Sequence, residues 1–174
     1  MRASTPRRSR PPAELCGARD ARVVPRTART VALGNGLVVP YPEPSSDAAT
    51  AVGRGNRRSG TAPEVALRSA LHRRGYRFRK DLLVRAGDLR TKPDIVFTRQ
   101  KVAVYVDGCF WHGCPEHGTT PKTNQGYWIP KLERNRQRDT SANEALASHG
   151  WTVIRVWEHE TLNHALALVQ KALD

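Results

Sequence analysis

Two cysteines, two histidines, two acids and two aromatics fall within the eleven positions Asp107-Gly-Cys-Phe-Trp-His-Gly-Cys-Pro-Glu-His117. Cys109, Cys114 and His117 supply three thiolate or imidazole ligands inside nine residues, the donor chemistry of tetrahedral zinc. A closed site needs a fourth ligand. His159 is the candidate if the strand before it joins the same sheet, and His112 is the rival. Just upstream, Asp94 follows Pro93 and enters an apolar run, Asp107 leaves the next run, and Glu64 sits in a helix-like segment. Carboxylates gathered at one sheet end bind Mg²⁺ and support phosphodiester hydrolysis. A plainer reading stays open at this point, with Glu64 a helix cap, Asp107 a turn residue and Asp94 a strand-edge acid. His112 adds a general base if it points back at the carboxylates.

These residues need elements to position them. Ile95–Phe97 and Val102–Val106 are short apolar runs separated by Thr98-Arg99-Gln100-Lys101, a pattern that predicts a buried hairpin with Asp94 at its entrance. Thr61-Ala-Pro-Glu64 has capping-box spacing and opens a helix carrying Val65, Leu67, Ala70 and Leu71, stopped by Gly75. Tyr76–Lys80 reads as a strand with Tyr76 and Phe78 inward, Leu82–Val84 as an extension or second strand, and Gly87-Asp88 as a turn. A long basic helix is expected from Trp128 to about Ser148, with Ile129, Leu132, Leu146 and Ala147 toward the core and Lys131, Arg134, Arg136 and Arg138 outside. Trp151–Trp157 predicts a strand and Leu162–Leu173 a closing amphipathic helix. The order is α-β-β-β-α-β-α, a small mixed α/β domain over residues 56–174. Residues 1–55, rich in Arg, Pro and Gly, read as a flexible basic tail whose composition buries too little apolar surface to offset ordering entropy.

The charge balance points to a polyanion. The chain has 174 residues with 29 Lys and Arg against 16 Asp and Glu, a formal +13, and nucleic acid is the first partner to consider. A hydrophobic fraction of 39% still fills a core. Three cysteines (Cys16, Cys109 and Cys114) argue for a reducing compartment and a metal site rather than a disulfide scaffold. No run approaches the roughly eighteen apolar residues of a membrane span, and the basic N-terminus lacks the apolar core of a secretory signal. The expected location is the cytoplasm.

Pro93–Phe97, a second apolar strand, Gly-Cys-Phe-Trp-His-Gly-Cys at 108–114, a basic helix and Gly-Trp-x-Val-Ile-x-Val-Trp-Glu at 150–158 together resemble the very short patch repair (Vsr) family of DNA mismatch endonucleases. The likeness runs from about Asn56 to Glu160. It implies a restriction-endonuclease-like, PD-(D/E)xK-type core, a mixed sheet flanked by helices, with a structural zinc. It also implies a Mg²⁺-dependent enzyme that nicks the T strand of double-stranded DNA, 5′ to the T of a T·G mismatch left by deamination of 5-methylcytosine. Repair proteins and a cytosine methyltransferase are the implied partners, and the enzyme is expected to act as a monomer in the bacterial cytoplasm, at the nucleoid. Carried over by position, Asp94 takes the metal-bridging place, the Val106 carbonyl the second Mg²⁺ contact, Glu64 the supporting helix acid and His112 the water-activating base. Cys109 and His159 match zinc ligands, with Cys114 and His117 filling the remaining two. Phe110 and Trp111 match aromatics that wedge beside the mispair.

Two departures stand out. Asp107 replaces a histidine of the family prototype, adding a candidate catalytic or metal-binding acid. Val104 and Val106 stand where the wider nuclease motif has E-x-K, so a histidine route is expected. The segment that inserts into the duplex in relatives falls near Val52–Gly55, which is Gly-rich here, so the wedge is not carried over to it. Lys122, Lys131, Arg134, Arg136 and Arg138 are expected phosphate contacts. Two other readings remain: a restriction-like or defence nuclease on other DNA, and a non-catalytic zinc module that binds DNA.

Overall fold

The computed structural model describes residues 30–32, 38–44, 46–47, 50–51 and 59–174. The tail arginines from Arg7 to Arg29, Cys16 and the Val52–Gly55 segment lie outside the described residues.

A central hairpin sets the frame. β6 (Ile95–Phe97) and β7 (Val102–Asp107) form the expected hairpin, antiparallel, with Ile95 opposite Val104 and Phe97 opposite Val102. β8 (Thr152–Trp157) lies parallel to β7 along all six residues, Val102 beside Thr152 and Asp107 beside Trp157. β3 (Arg79–Lys80) closes the other edge against β6, giving the order β3-β6-β7-β8. The parallel step from β7 to β8 requires a crossover. It contains a short helix α2 (Cys109–His112) and the long helix α3 (Gln125–Ser148).

Both faces of the sheet are covered, which is why β6 and β7 read as continuous apolar runs. On one face, Leu67, Ala70 and Leu71 of α1 (Ala62–Arg73) and Ala165, Leu166 and Val169 of α4 (Leu162–Leu173) pack on Ile95, Phe97, Val102, Val104, Ile154 and Val156. On the other face, Val96 and Ala103 meet Leu146 of α3 and Val84 and Ala86 of β4 (Val84–Ala86). β4 turns through Gly87-Asp88 into β5 (Leu89–Thr91), a separate hairpin. Each fully buried branched side chain contributes roughly 1.5–3 kcal/mol, so the β6–β7 pair is the anchor on which the polar site is carried.

Three sequence expectations change. Tyr76 and Phe78 stack edge-on against Phe97, but the strand there is only Arg79–Lys80. In α3, Ile129 and Ala147 are exposed and Leu132 is half-buried, so the helix reaches the core through Ala142 and Leu146, with Tyr127 buried near its start. Within the stretch read as tail, β1 (Thr30–Ala32) and β2 (Val38–Pro40) pair antiparallel. They are tied to α3 by the Arg134 guanidinium, which donates to the Ala32 carbonyl at 2.8 Å, and by Tyr41, edge-on to Tyr127 at 5.4 Å. Two β-branched runs and a following tyrosine had an apolar partner that composition alone does not reveal. Among the described residues no helix is long and apolar enough to cross a membrane.

Candidate active site and metal centre

The start of β6 and the end of β7 lie side by side at one end of the sheet. The Asp94 N–H donates to the Val104 carbonyl at 3.0 Å, and the Val106 N–H donates to Asp94 Oδ2 at 2.8 Å. The N–H and C=O of one strand residue face the same side, so the Val106 carbonyl also faces Asp94. Burial lifts the Asp94 carboxyl to about 6; the Val106 hydrogen bond opposes that, and the charges of Glu64, Asp107 and Asp81 add to it. A carboxylate whose ionisation is resisted by desolvation and three acids, with a carbonyl oxygen beside it, has the hard-oxygen donor chemistry that suits Mg²⁺.

Glu64 is 3% exposed and fully occupied locally. It accepts from the Gly60 N–H at 2.7 Å, the Thr61 hydroxyl at 2.9 Å and Arg68 Nη1 at 3.2 Å. The expected capping box does not form: Glu64 reaches the Gly60 N–H, one residue before the N-cap, and the Thr61 hydroxyl donates to the acid rather than accepting from the backbone. Toward Asp94, Glu64 acts through its charge.

His112 ends α2. Its Nδ1 lies 2.6 Å from Asp139 Oδ2 and 3.6 Å from Asp107 Oδ1. A carboxylate only accepts, so Nδ1–H is the donor and Nε2 keeps the basic lone pair. Burial works to lower the His112 pKa, but the Asp139 hydrogen bond and the charges of Asp107 and Asp139 outweigh it and hold the imidazole above its ordinary value. Burial lifts Asp139, yet its bond to His112 and the Arg155 charge leave it below the ordinary carboxylate range. Asp107, expected as a metal ligand or acid, is 3% exposed and bonded to Arg155 Nη1 at 2.6 Å. Its charge is compensated inside the protein, and it acts electrostatically on both Asp94 and His112.

The second cluster flanks His112 in the chain, with Cys109 before it and Cys114, His117 and His159 after it. Ligand atoms of Cys109, Cys114, His117 and His159 all fall within 4.8 Å of one another. His159 Nδ1 is 3.1 Å from Cys109 Sγ and 3.7 Å from Cys114 Sγ, and His117 Nδ1 is 4.0 Å from Cys114 Sγ. Tetrahedral zinc with ordinary bond lengths puts S and N ligands about 3.5 Å apart, so the donors and spacing fit that ion. His112 is excluded from this set by its bond to Asp139. Gly113 adopts a left-handed φ of +69° and turns the chain back so that Cys114 returns to Cys109. Gly118 admits no side chain, since a Cβ there would meet the Cys114 carbonyl oxygen at 2.4 Å. Glu116 Oε2 lies 3.5 Å from His159 Nε2, an outer partner of the kind that orients a ligating imidazole. β8 supports the cluster through Glu158, which follows the strand and accepts from the Cys109 N–H at 2.7 Å.

Phe110, Trp111 and Trp128 form a half-buried aromatic cluster, with ring centroids 5.0, 5.7 and 5.9 Å apart. Lys131 does not point away from it as expected. Its Nζ sits 5.0 Å from the Tyr127 and Trp128 rings, 5.3 Å from Trp111 and 6.0 Å from Tyr41, and donates to the Tyr127 hydroxyl. Arg134 holds β1, and Arg136 pairs with Glu133 at 2.7 Å. Lys122, Arg136 and Arg138 are exposed.

Sequence reasoning missed Asp139, Arg155, Trp128 and Tyr41. Only Arg155 carried a signal: it is a charge between Ile154 and Val156 in an otherwise apolar strand, where a charge without a partner is costly.

Comparison with known proteins narrows the class. The chain is 57% identical over 134 residues to the type II nicking enzyme V.NaeI of Lentzea aerocolonigenes, covering 76% of this chain and 81% of that protein. It is 47% identical over 106 residues to the type II nicking enzyme V.XorIIP of Xanthomonas oryzae pv. oryzae, covering 60% and 74%. It is 33% identical over 102 residues to the DNA mismatch endonuclease Vsr of Escherichia coli K12, covering 56% and 61%. The family described as DNA mismatch endonuclease Vsr matches residues 46–116. The protein is thus an enzyme of the DNA endonuclease class. Within that class, the chain belongs to the Vsr family.

Proposed function

We propose that the protein nicks the thymine strand of duplex DNA at T·G mismatches arising from deaminated 5-methylcytosine, using Mg²⁺ on a PD-(D/E)xK-type core. The observation that carries this reading is the His112–Asp139 pair beside Asp107, which also acts electrostatically on Asp94. Asp94 and the Val106 carbonyl would hold Mg²⁺, which when bound would supply Lewis-acid stabilisation of charge on the phosphate. His112 Nε2 takes the proton of the attacking water as the new P–O bond forms and the scissile P–O bond breaks. Asp139 accepts from Nδ1–H, fixing the tautomer and stabilising the imidazolium that results. Glu64 and Asp107 concentrate negative charge where the cation belongs.

Cys109, Cys114, His117 and His159 would hold Zn²⁺, which would fix α2 and with it the position of His112. The Phe110–Trp111–Trp128 cluster presses against the mispair, where unstacking costs less than at a matched pair. Lys122, Arg136 and Arg138 contact phosphates, while Lys131 and Arg134 hold the aromatic cluster and the β1–β2 hairpin beside them. Residues 56–174 form the endonuclease domain and residues 1–55 a basic extension. The enzyme works as a monomer in the bacterial cytoplasm, alongside a cytosine methyltransferase and repair proteins. The relatives named type II nicking enzymes favour a second reading, nicking within a restriction setting on other DNA.

The test uses strand-specific end-labelled duplexes with T·G in a panel of contexts, beside T·A and C·G controls, with Mg²⁺. Nicking of the T strand at T·G alone, lost in Asp94→Ala, is the expected result. Cleavage of matched duplex moves the assignment to the restriction reading.

A further inference from the structure

Arg155 has no part in the chemistry described so far, yet it touches both carboxylates that face the histidine. Strand alternation sends Ile154 and Val156 into the core under α1 and α4 and Arg155 to the opposite face. There its guanidinium lies 4.6 Å from the Tyr105 ring centroid, and the Tyr105 hydroxyl bonds Thr91 at 2.7 Å. Nη1 donates to Asp107 Oδ2 at 2.6 Å and Nε to Asn143 Oδ1 at 3.1 Å. Nη2 lies 3.3 Å from Asp139 Oδ1, close enough for an ion pair but too oblique for a hydrogen bond.

Each carboxylate therefore divides its oxygens in the same way. Asp107 gives Oδ2 to Arg155 and turns Oδ1 toward His112. Asp139 gives Oδ1 to Arg155 and Oδ2 to His112. The imidazole has one Nδ1–H for two candidate acceptors, one at 2.6 Å and one at 3.6 Å. A planar fork spanning both acids fixes which of them wins. Without it, two adjacent carboxylates repel each other and compete for the same proton donor, and the direction of Nε2 is no longer set.

We propose that Arg155 is a positioning residue that, by bridging Asp107 and Asp139, commits the His112 Nδ1–H to Asp139 and so aims Nε2 at the attacking water. This rests on the His112–Asp139 reading above. Arg155 touches neither the scissile phosphate nor the water in this role, so its loss lowers the chemical step and leaves DNA binding intact.

The test is single-turnover nicking of a T·G duplex, with duplex affinity measured in parallel without Mg²⁺. Arg155→Ala is expected to nick roughly 10- to 100-fold more slowly with affinity unchanged. Millimolar guanidinium, set against an equal concentration of KCl, restores part of that rate. In an Asp139→Asn background, Arg155→Ala adds less than about twofold, because the two act through one proton. If the alanine variant does not fold, Arg155→Lys keeps the charge and loses the fork, and it too is expected to be slowed with binding retained. Wild-type rates in Arg155→Lys or Arg155→Ala, with Asp139→Asn inactive, overturn the inference. Rate and affinity falling together with no guanidinium rescue also overturn it, in favour of a purely structural arginine. Full activity in Asp139→Asn instead removes the reading on which the inference stands.

Discussion

The cysteine–histidine cluster and the carboxylate–histidine site share the four-residue helix α2, yet they are built in opposite ways. Cys109 opens that helix and looks toward Cys114, His117 and His159, while His112 closes it and looks toward Asp107 and Asp139. Three of the four metal-type ligands come from nine consecutive residues. The second site draws on Asp94 and Asp107 at the ends of two strands, His112 on α2, Asp139 on α3 and Arg155 on β8. One cluster is a local loop closed by a single long-range residue, and the other exists only when the sheet and two helices have assembled. The lesson proposed is a division of labour: a zinc-filled local cluster would fix the short helix, and that helix carries His112 to the dispersed site.

Substitutions that separate the two regions test that division. Asp94→Ala is expected to have the largest effect, lowering nicking by more than about 10³-fold while leaving the fold intact, because it removes a carboxylate whose ionisation the protein resists. Equal thermal stability in calorimetry alongside lost nicking is the readout, and substantial residual nicking contradicts the role given to this residue. Zinc removal should act on both regions at once. One zinc per chain is expected by elemental analysis, and its extraction by a strong chelator should lower the melting temperature and nicking together, since structural zinc contributes directly to folding. Loss of zinc with nicking unchanged breaks the link through α2.

Asp94 also sets a pH dependence that the cysteine cluster does not share. Its folded pKa of about 6 exceeds the ordinary 3.8, so the metal-free protein takes up a proton on folding in between. That contribution to stability is complete below pH 4 and is lost as pH rises through 6. Mg²⁺ competes with the proton, so the acidic limb of nicking should move to lower pH as Mg²⁺ is raised. A limb insensitive to Mg²⁺ assigns it to another group. The smallest effect is expected at the surface. Reversing the charge of exposed Lys122 and Arg138 should weaken duplex binding several-fold in every sequence context and flatten its salt dependence. A loss confined to one context contradicts phosphate contact.

The contrast also explains what was readable in the sequence. Apolar runs at Ile95–Phe97 and Val102–Val106 defined the central hairpin because strands covered on both faces leave unbroken hydrophobic segments, and Trp151–Trp157 still read as a strand although Thr152 and Arg155 interrupt it. The metal-type cluster was legible because its spacing is local, and His159 followed once β8 was expected beside the hairpin. Asp139 was hidden in a helix whose other charges are mostly basic and solvent-facing, and nothing in its neighbours distinguishes it. Ile129 and Leu132 misled because helix periodicity marks an apolar stripe without saying whether a core lies opposite; both line an open cavity beside Phe110 and Cys114. Lys131 read as a solvent-facing cation because the four rings around it come from three separate segments.

In the proposed chemistry His112 acts through Asp139. The direct measurement is single-turnover nicking of a T·G duplex by Asp139→Asn at saturating protein, with duplex affinity and zinc content measured on the same sample. A fall of roughly 10²- to 10⁴-fold is expected, with affinity and zinc unchanged, since the amide no longer fixes the tautomer or stabilises the imidazolium. Nicking at the wild-type rate would contradict the account, leaving the 2.6 Å contact a structural feature of α2 and α3 rather than part of the chemistry.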